Sequence, residues 1–186
     1  MLEQHRCWVF LVFLGGLTVA GCATKPGGAV PMTRDREAFG VWFRSDEKPV
    51  RRVLPAPVEA VWAALPNVFA DLGYPGGPSA RAEERVYLTP PMKVRGLLYQ
   101  GEPNSVYLDC GRTPAGAPTA DVYPITFAIL SRLRRQDNDS TLVEVLVDGT
   151  ARDPAQWSNP VFCTGTGRLE TKLLQRLEAR ISSAAQ

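Results

Sequence analysis

Residues 141–152, TLVEVLVDGTAR, constrain the fold more than any other segment of the chain. Val143, Val145 and Val147 alternate with Leu142, Glu144, Leu146 and Asp148. A period of two lays one wholly apolar face along a strand and scatters it around a helix. A second extended run, Val122 to Arg134 (VYPITFAILSRLR), precedes it, and Gln136 to Ser140 is a polar loop of the size that closes a hairpin. Two long antiparallel strands are therefore the expected centre of the fold. Pro124 cannot donate to a ladder and is expected at an edge or a bulge.

The elements on either side are those of an α+β chain. PVRRVL (49–54) has strand character, and Gly40 to Phe43 reads as a short strand or a patch that docks late. Pro57 suits the first turn of a helix, and Val58, Val61, Trp62, Leu65, Phe69 and Leu72 then recur at spacings of three and four up to a stop at Gly73. Pro66, inside that pattern, is expected to kink or split the helix. RVYLT (85–89), KVRGLLY (93–99) and SVYLDC (105–110) are candidate short strands, and 113–119 and 153–160 are loops. Thr166 is the expected N-cap of a last helix whose Leu169, Leu173, Leu177 and Ile181 form a stripe at every fourth position. The expected fold class is α+β: an antiparallel sheet packed on a long helix in the N-terminal half and on a C-terminal helix.

Cys7 to Ala20 is an apolar run of 14 residues that follows Arg6. That is short of the ~20 a spanning helix needs and matches the core of a secretory signal. It ends in Val19-Ala20-Gly21-Cys22, which resembles the bacterial lipobox. The resemblance implies cleavage after Gly21, fatty acylation (palmitate among the acyl chains) of Cys22 as the new N-terminus, and, with Ala23 rather than Asp next, delivery to the outer membrane facing the periplasm. Residues 1–21 are then a lipoprotein signal peptide, 22–37 a lipidated N-terminus and flexible tether, and 38–186 a single domain. Two or three acyl chains hold a soluble domain on a membrane where one does not.

Cleavage would remove His5, the only histidine. A mature chain without histidine has no Ser-His-Asp or Cys-His machinery and no histidine-ligated metal. A net charge of +2 is too small for a nucleic-acid binder. Of the four cysteines, Cys110 and Cys163 remain for the domain, and in an exported protein their simplest fate is a disulfide.

Other candidate sites carry simpler readings. Cys163-Thr164-Gly165-Thr166-Gly167-Arg168 has the glycines of a phosphate-cradling loop without its lysine, and reads better as a disulfide-tethered helix cap. Arg132, Arg134 and Arg135 could meet an anionic headgroup, but Asp137 and Asp139 follow and make a mixed, solvated tip. Asp109, Asp121, Asp148 and Asp153 offer carboxylates that nothing in the sequence pairs. Lys25, Lys48, Lys93 and Lys172 lack any Ser-x-x-Lys context.

The segment Ala56-Pro57-Val58-Glu59-Ala60-Val61-Trp62-Ala63-Ala64-Leu65 resembles the entry of the START/polyketide-cyclase superfamily. That resemblance implies a helix-grip fold with a cavity for a hydrophobic ligand. The lipobox, the tether and the Trp62 to Gly73 helix also resemble the helix-grip domains of the outer-membrane lipoprotein in the β-barrel assembly machine, which implies binding or scaffolding without catalysis. The expected function is thus a lipid-anchored, non-catalytic envelope protein that binds or scaffolds a protein partner at the membrane, with no cofactor, metal or nucleic acid. The alternative is a periplasmic carrier of a small hydrophobic ligand. Intact-mass analysis of protein extracted from membranes should show an acylated Cys22 N-terminus; an unmodified chain in the soluble fraction would contradict the lipobox reading.

Overall fold

The computed structural model describes residues 37–38, 41–42, 48–74, 85–155 and 160–184. Cys22, residues 23–36 of the expected tether and Trp157 lie outside them, as do the side chains of 37–47, Trp42 included. Two short strands, β1 (Glu37–Ala38) and β2 (Val41–Trp42), pair with each other, and β2 lies against the central strands. The order then runs β3 (Val50–Leu54), α1 (Val58–Asp71), β4 (Val86–Leu88), β5 (Met92–Val94), β6 (Leu108–Asp109), α2 (Thr119–Val122), β7 (Ile125–Arg135), β8 (Thr141–Ala151), β9 (Val161–Gly165) and α3 (Arg168–Ala184).

The expected hairpin is the spine of a seven-stranded antiparallel sheet. β7 and β8 pair along their whole length, from Arg135 opposite Thr141 to Ile125 opposite Ala151. β4 and β5 share the free side of β7, β3 and β9 share the free side of β8, and β6 closes the far edge on β9. Ile125, Phe127, Ile129 and Leu133 join Val143, Val145 and Val147 on the face that meets α1 and α3. The opposite face holds a smaller apolar patch of Leu88, Ala128 and Leu146, with Leu130 packed beside it.

Several expected elements are shorter or different. The strand at 122 begins instead at Ile125, because Thr119–Val122 turns as α2; exposed Pro124 sits just outside the ladder, its carbonyl accepting from the Arg152 N–H at 3.1 Å. KVRGLLY is extended only to Val94, since Gly96 takes a φ of +75°. SVYLDC spends its first residues in a 3-10 turn and contributes only Leu108–Asp109 as strand.

α1 is continuous through Pro66, contrary to the expected split. Pro66 lies on the exposed face, while Val58, Val61, Leu65, Val68, Phe69 and Leu72 are buried, so packing along the other face holds the turn that lacks one hydrogen bond. Trp62 is only half-buried, edge-on to Tyr87 at 6.1 Å, whereas Phe69 stacks on the same tyrosine at 4.9 Å and is fully enclosed. The helix ends in a Schellman turn: Gly73 (φ +79°) donates to Ala70 at 2.9 Å and Tyr74 to Phe69 at 2.7 Å. That left-handed step carries the Tyr74 ring back into the core, against Phe127.

α3 begins at Arg168, after Gly167, and not on a Thr166 cap. The Thr166 hydroxyl donates instead to the Val106 carbonyl at 2.7 Å, and its N–H to Tyr107 at 3.0 Å, tying the helix entrance to the segment before β6. Charged contacts fix the other end, with Arg180 on Asp71 of α1 at 2.9 Å, while Arg52 of β3 reaches Glu178 at 2.6 Å. Among the described residues no helix is long and apolar enough to cross a membrane.

Gly165 has a packing reason of its own. A Cβ there would fall 1.9 Å from the Glu170 carboxylate and 3.1 Å from Val147. The bare backbone is what lets a buried carboxylate in the first turn of α3 lie against β9, near the helix terminus that favours negative charge. Gly165→Ala should therefore lower stability by roughly 1–3 kcal/mol in denaturant unfolding. The loss should shrink when Glu170→Ala is made in the same chain; strict additivity of the two changes would contradict this contact.

Candidate functional site

The two cysteines of the domain are joined. Cys110 and Cys163 form a disulfide with Cα atoms 4.1 Å apart. The register explains why: Asp109 faces Thr164 across the β6–β9 ladder, so the next pair along an antiparallel ladder is 110 with 163. The bond closes a loop of 53 residues, which the chain-entropy model values at about 4 kcal/mol. Beside it lies an open cleft of about 510 Å³ bordered by Ser105, Asp109, Arg112, Pro118 and Thr166.

Several of the other sequence candidates take structural partners. Arg134 reaches Glu144 at 3.3 Å, a carboxylate also held by Arg51 at 2.9 Å, and Arg135 reaches Glu59 at 3.0 Å. Asp121 accepts from the Ser105 N–H and hydroxyl at 2.8 and 2.6 Å, and Asp153 accepts from the Tyr123 hydroxyl at 3.0 Å. Asp109 and Asp148 both face Thr164, so they share one cross-strand row on either side of β9. Asp109 is committed to the Gly111 N–H at 2.9 Å, and Asp148 is buried. Among the described residues no three His, Cys, Asp or Glu side chains gather as a metal site. The glycine-rich segment before α3 is divided between β9, the disulfide and the room made for Glu170.

A cluster that the sequence reading did not single out stands on the first half of α3. The Lys172 ammonium lies over two tyrosine rings, 4.6 Å from the centroid of Tyr99 and 4.9 Å from that of Tyr107. It donates to the Tyr107 hydroxyl, which in turn donates to Glu102, and Lys172 also reaches Glu102 directly at 3.3 Å. Tyr99 and Tyr107 meet edge to face, their centroids 6.2 Å apart, and the hydroxyl of Tyr74 is buried nearby, where both raise its pKa after burial itself.

The electrostatics fix the protonation of this relay. Hydrogen bonds from Tyr107 and then Lys172 hold the Glu102 carboxyl below the usual range. Burial first, then the hydrogen bond to Glu102, pushes the Tyr107 hydroxyl up. The hydrogen bond to Tyr107, then that to Glu102, raises Lys172. At neutral pH the three are an ammonium, a neutral phenol and a carboxylate. A lysine nucleophile or a tyrosine base needs the opposite shifts. What the arrangement offers is a fixed positive charge backed by aromatic faces.

Next to Lys172 opens a second cleft, of about 270 Å³, lined by Tyr99, Gln100, Lys172, Gln175 and Arg176. Gln100 occupies a tight turn closed by the Glu102 N–H on the Tyr99 carbonyl at 3.0 Å, and it does so at a φ of +52°, a conformation that disfavours every residue except glycine and, less strongly, asparagine and aspartate. The signal was present in the sequence as cations at positions 168, 172, 176 and 180 beside the leucine stripe; nothing in it showed that two tyrosines would come to meet them.

No protein-family model, no curated protein and no solved structure matches the chain.

Stability should report the relay's charges. Glu102 is depressed on folding, so its contribution is present above the ordinary value of 4.5 and is lost as pH falls through the folded value. Lys172 is raised, so its contribution is present below 10.5 and is lost as pH rises through its folded value. In melting curves across pH, Glu102→Gln should flatten part of the acid limb; an acid limb identical to that of the wild type would contradict the relay.

Proposed function

We propose that this protein is a lipid-anchored component of a bacterial envelope, most simply of the outer membrane facing the periplasm, whose domain binds or scaffolds a protein partner through its surface and performs no catalysis. The anchor rests on Val19-Ala20-Gly21-Cys22 after an apolar run of signal length, and an oxidising compartment accords with the Cys110–Cys163 disulfide.

The observation that favours surface binding is how many large side chains are buried in the space between the helices and the sheet. Tyr107, Phe69 and Phe127, with Leu54, Leu65, Leu108, Ile125, Ile129, Leu169, Leu173, Leu174 and Leu177, are all less than 2% exposed there. A carrier of a hydrophobic ligand would need that volume for its cargo, on the order of 300 Å³ or more. The two clefts described above open on the surface, the smaller bordered mainly by polar side chains and the larger by a mixture that includes Leu108, Pro118 and Ala120.

Crosslinking in intact cells, followed by purification of the full chain under denaturing conditions, tests this reading. The expected result is a discrete crosslinked protein adduct in the membrane fraction. That adduct should disappear in Cys22→Ser, because loss of the anchor removes the domain from its partner's surface. A Cys22→Ser chain that stays in membranes and keeps the same adduct would overturn the anchored reading; a wild-type chain with no adduct would overturn the scaffold.

A further inference from the structure

We propose that the cleft between the Tyr99–Glu102 turn and α3 is a recognition site for a phosphate group, carried either by a soluble phosphate ester or by a phospholipid headgroup. Its location at a membrane-facing domain rests on the function proposed above; its chemistry does not.

The charge on α3 is arranged in a row. Arg168, Lys172, Arg176 and Arg180 fall at every fourth position, one face of a helix, beside the leucine stripe that seats the helix in the core. Two of them are answered, Arg180 by Asp71 and Lys172 by Glu102. Among the described residues no carboxylate pairs with Arg176, which is exposed at the mouth of the cleft. Glu102 offsets Lys172, so the uncompensated charge at the cleft is that of Arg176, with Arg168 one turn before Lys172 on the same helix.

The lining groups are mostly donors. Arg176 presents five N–H groups, Lys172 retains one N–H beyond those given to Tyr107 and Glu102, and the amides of Gln100 and Gln175 add two each. Against these stand the two amide oxygens and the Tyr99 hydroxyl, so donors outnumber acceptors. A pocket of donors around two cations, one of them already paired with Glu102, suits an anion with more acceptor oxygens than a carboxylate has, which describes a phosphate group. The volume, about 270 Å³, equals roughly nine waters, so a phosphate leaves space for the group that carries it.

The cleft is also preorganised. Lys172 is pinned on two aromatic rings and by a hydrogen-bonded tyrosine, so its charge is held in place before any ligand arrives. Gln100 is held at positive φ on the opposite wall. A glutamine in that conformation costs stability, and strain of this kind collects where a side chain is needed at one place.

The test uses the full chain, isotopically labelled, in a neutral detergent, with the side-chain amide signals of Gln100 and Gln175 as reporters. Titration with inorganic phosphate and with glycerol 3-phosphate should move both signals saturably, with a Kd at or below about 1 mM. Arg176→Gln should weaken the affinity at least about tenfold while leaving the melting temperature unchanged, since Arg176 has no partner within the described fold. Succinate binding as tightly as phosphate, no saturation, or an unchanged affinity in Arg176→Gln would each overturn the proposal. Two arms distinguish the source. Saturation by glycerol 3-phosphate of the chain in phosphatidylcholine nanodiscs assigns a soluble ester, and the same signals shifting only in phosphatidylglycerol nanodiscs assign a headgroup. Because Arg176→Gln keeps Cys22, its membrane retention and crosslinked adduct report on the anchored scaffold separately from the phosphate site.

Discussion

The ladder between β7 and β8 is the interaction on which the rest of the domain depends. Every other strand of the large sheet joins it directly or through β9: β4 and β5 on β7, β3 and β9 on β8, and β6 on β9. Its inner face supplies the apolar surface that α1 and α3 cover, and neither helix has another sheet to pack on. A one-residue slip in its register would turn Val143, Val145 and Val147 outward and bring Glu144 and Leu146 in, which is why the alternation in 142–148 specifies the fold so strongly.

At the far edge a second set of contacts converts the sheet into a platform for α3. The Cys110–Cys163 bond fixes β6 to β9, the Thr166 hydroxyl and N–H tie the chain to Val106 and Tyr107, and Gly165 leaves room for Glu170. The helix therefore leaves β9 in a fixed direction, and that direction brings Lys172 onto Tyr99 and Tyr107. The tyrosines arrive from a different part of the chain, and Tyr74 behind them arrives by the left-handed turn at Gly73. The proposed phosphate site lies in the same corner: the disulfide and the relay hold the elements between which the donor-lined cleft opens.

Long elements with a regular period were legible in the sequence; short ones and clusters were not. The β7–β8 hairpin, the leucine stripe of α3 and the buried face of α1 announce themselves because many residues repeat one pattern. β9 was missed because VFCTG is five residues ending in glycine, and its strand state comes from pairing with β8 and from the disulfide. The segment 93–99 read as a strand because it is apolar, but Gly96 and the turn at Gln100 break it. Pro66 was overvalued as a breaker, because its exposed position leaves the packing of α1 intact. The relay of Lys172, Tyr107 and Glu102 joins residues up to 70 positions apart, a juxtaposition that no local signal encodes.

The central proposal is that an anchored domain acts through its surface, with its large apolar side chains packed between the helices and the sheet. Native mass spectrometry of the full chain, released from membranes under mild conditions, tests that claim most directly. The account predicts the mass of the acylated chain alone, with any retained small molecule lost when Arg176 is changed to Gln. A hydrophobic molecule retained at one per chain, and indifferent to that substitution, would contradict it.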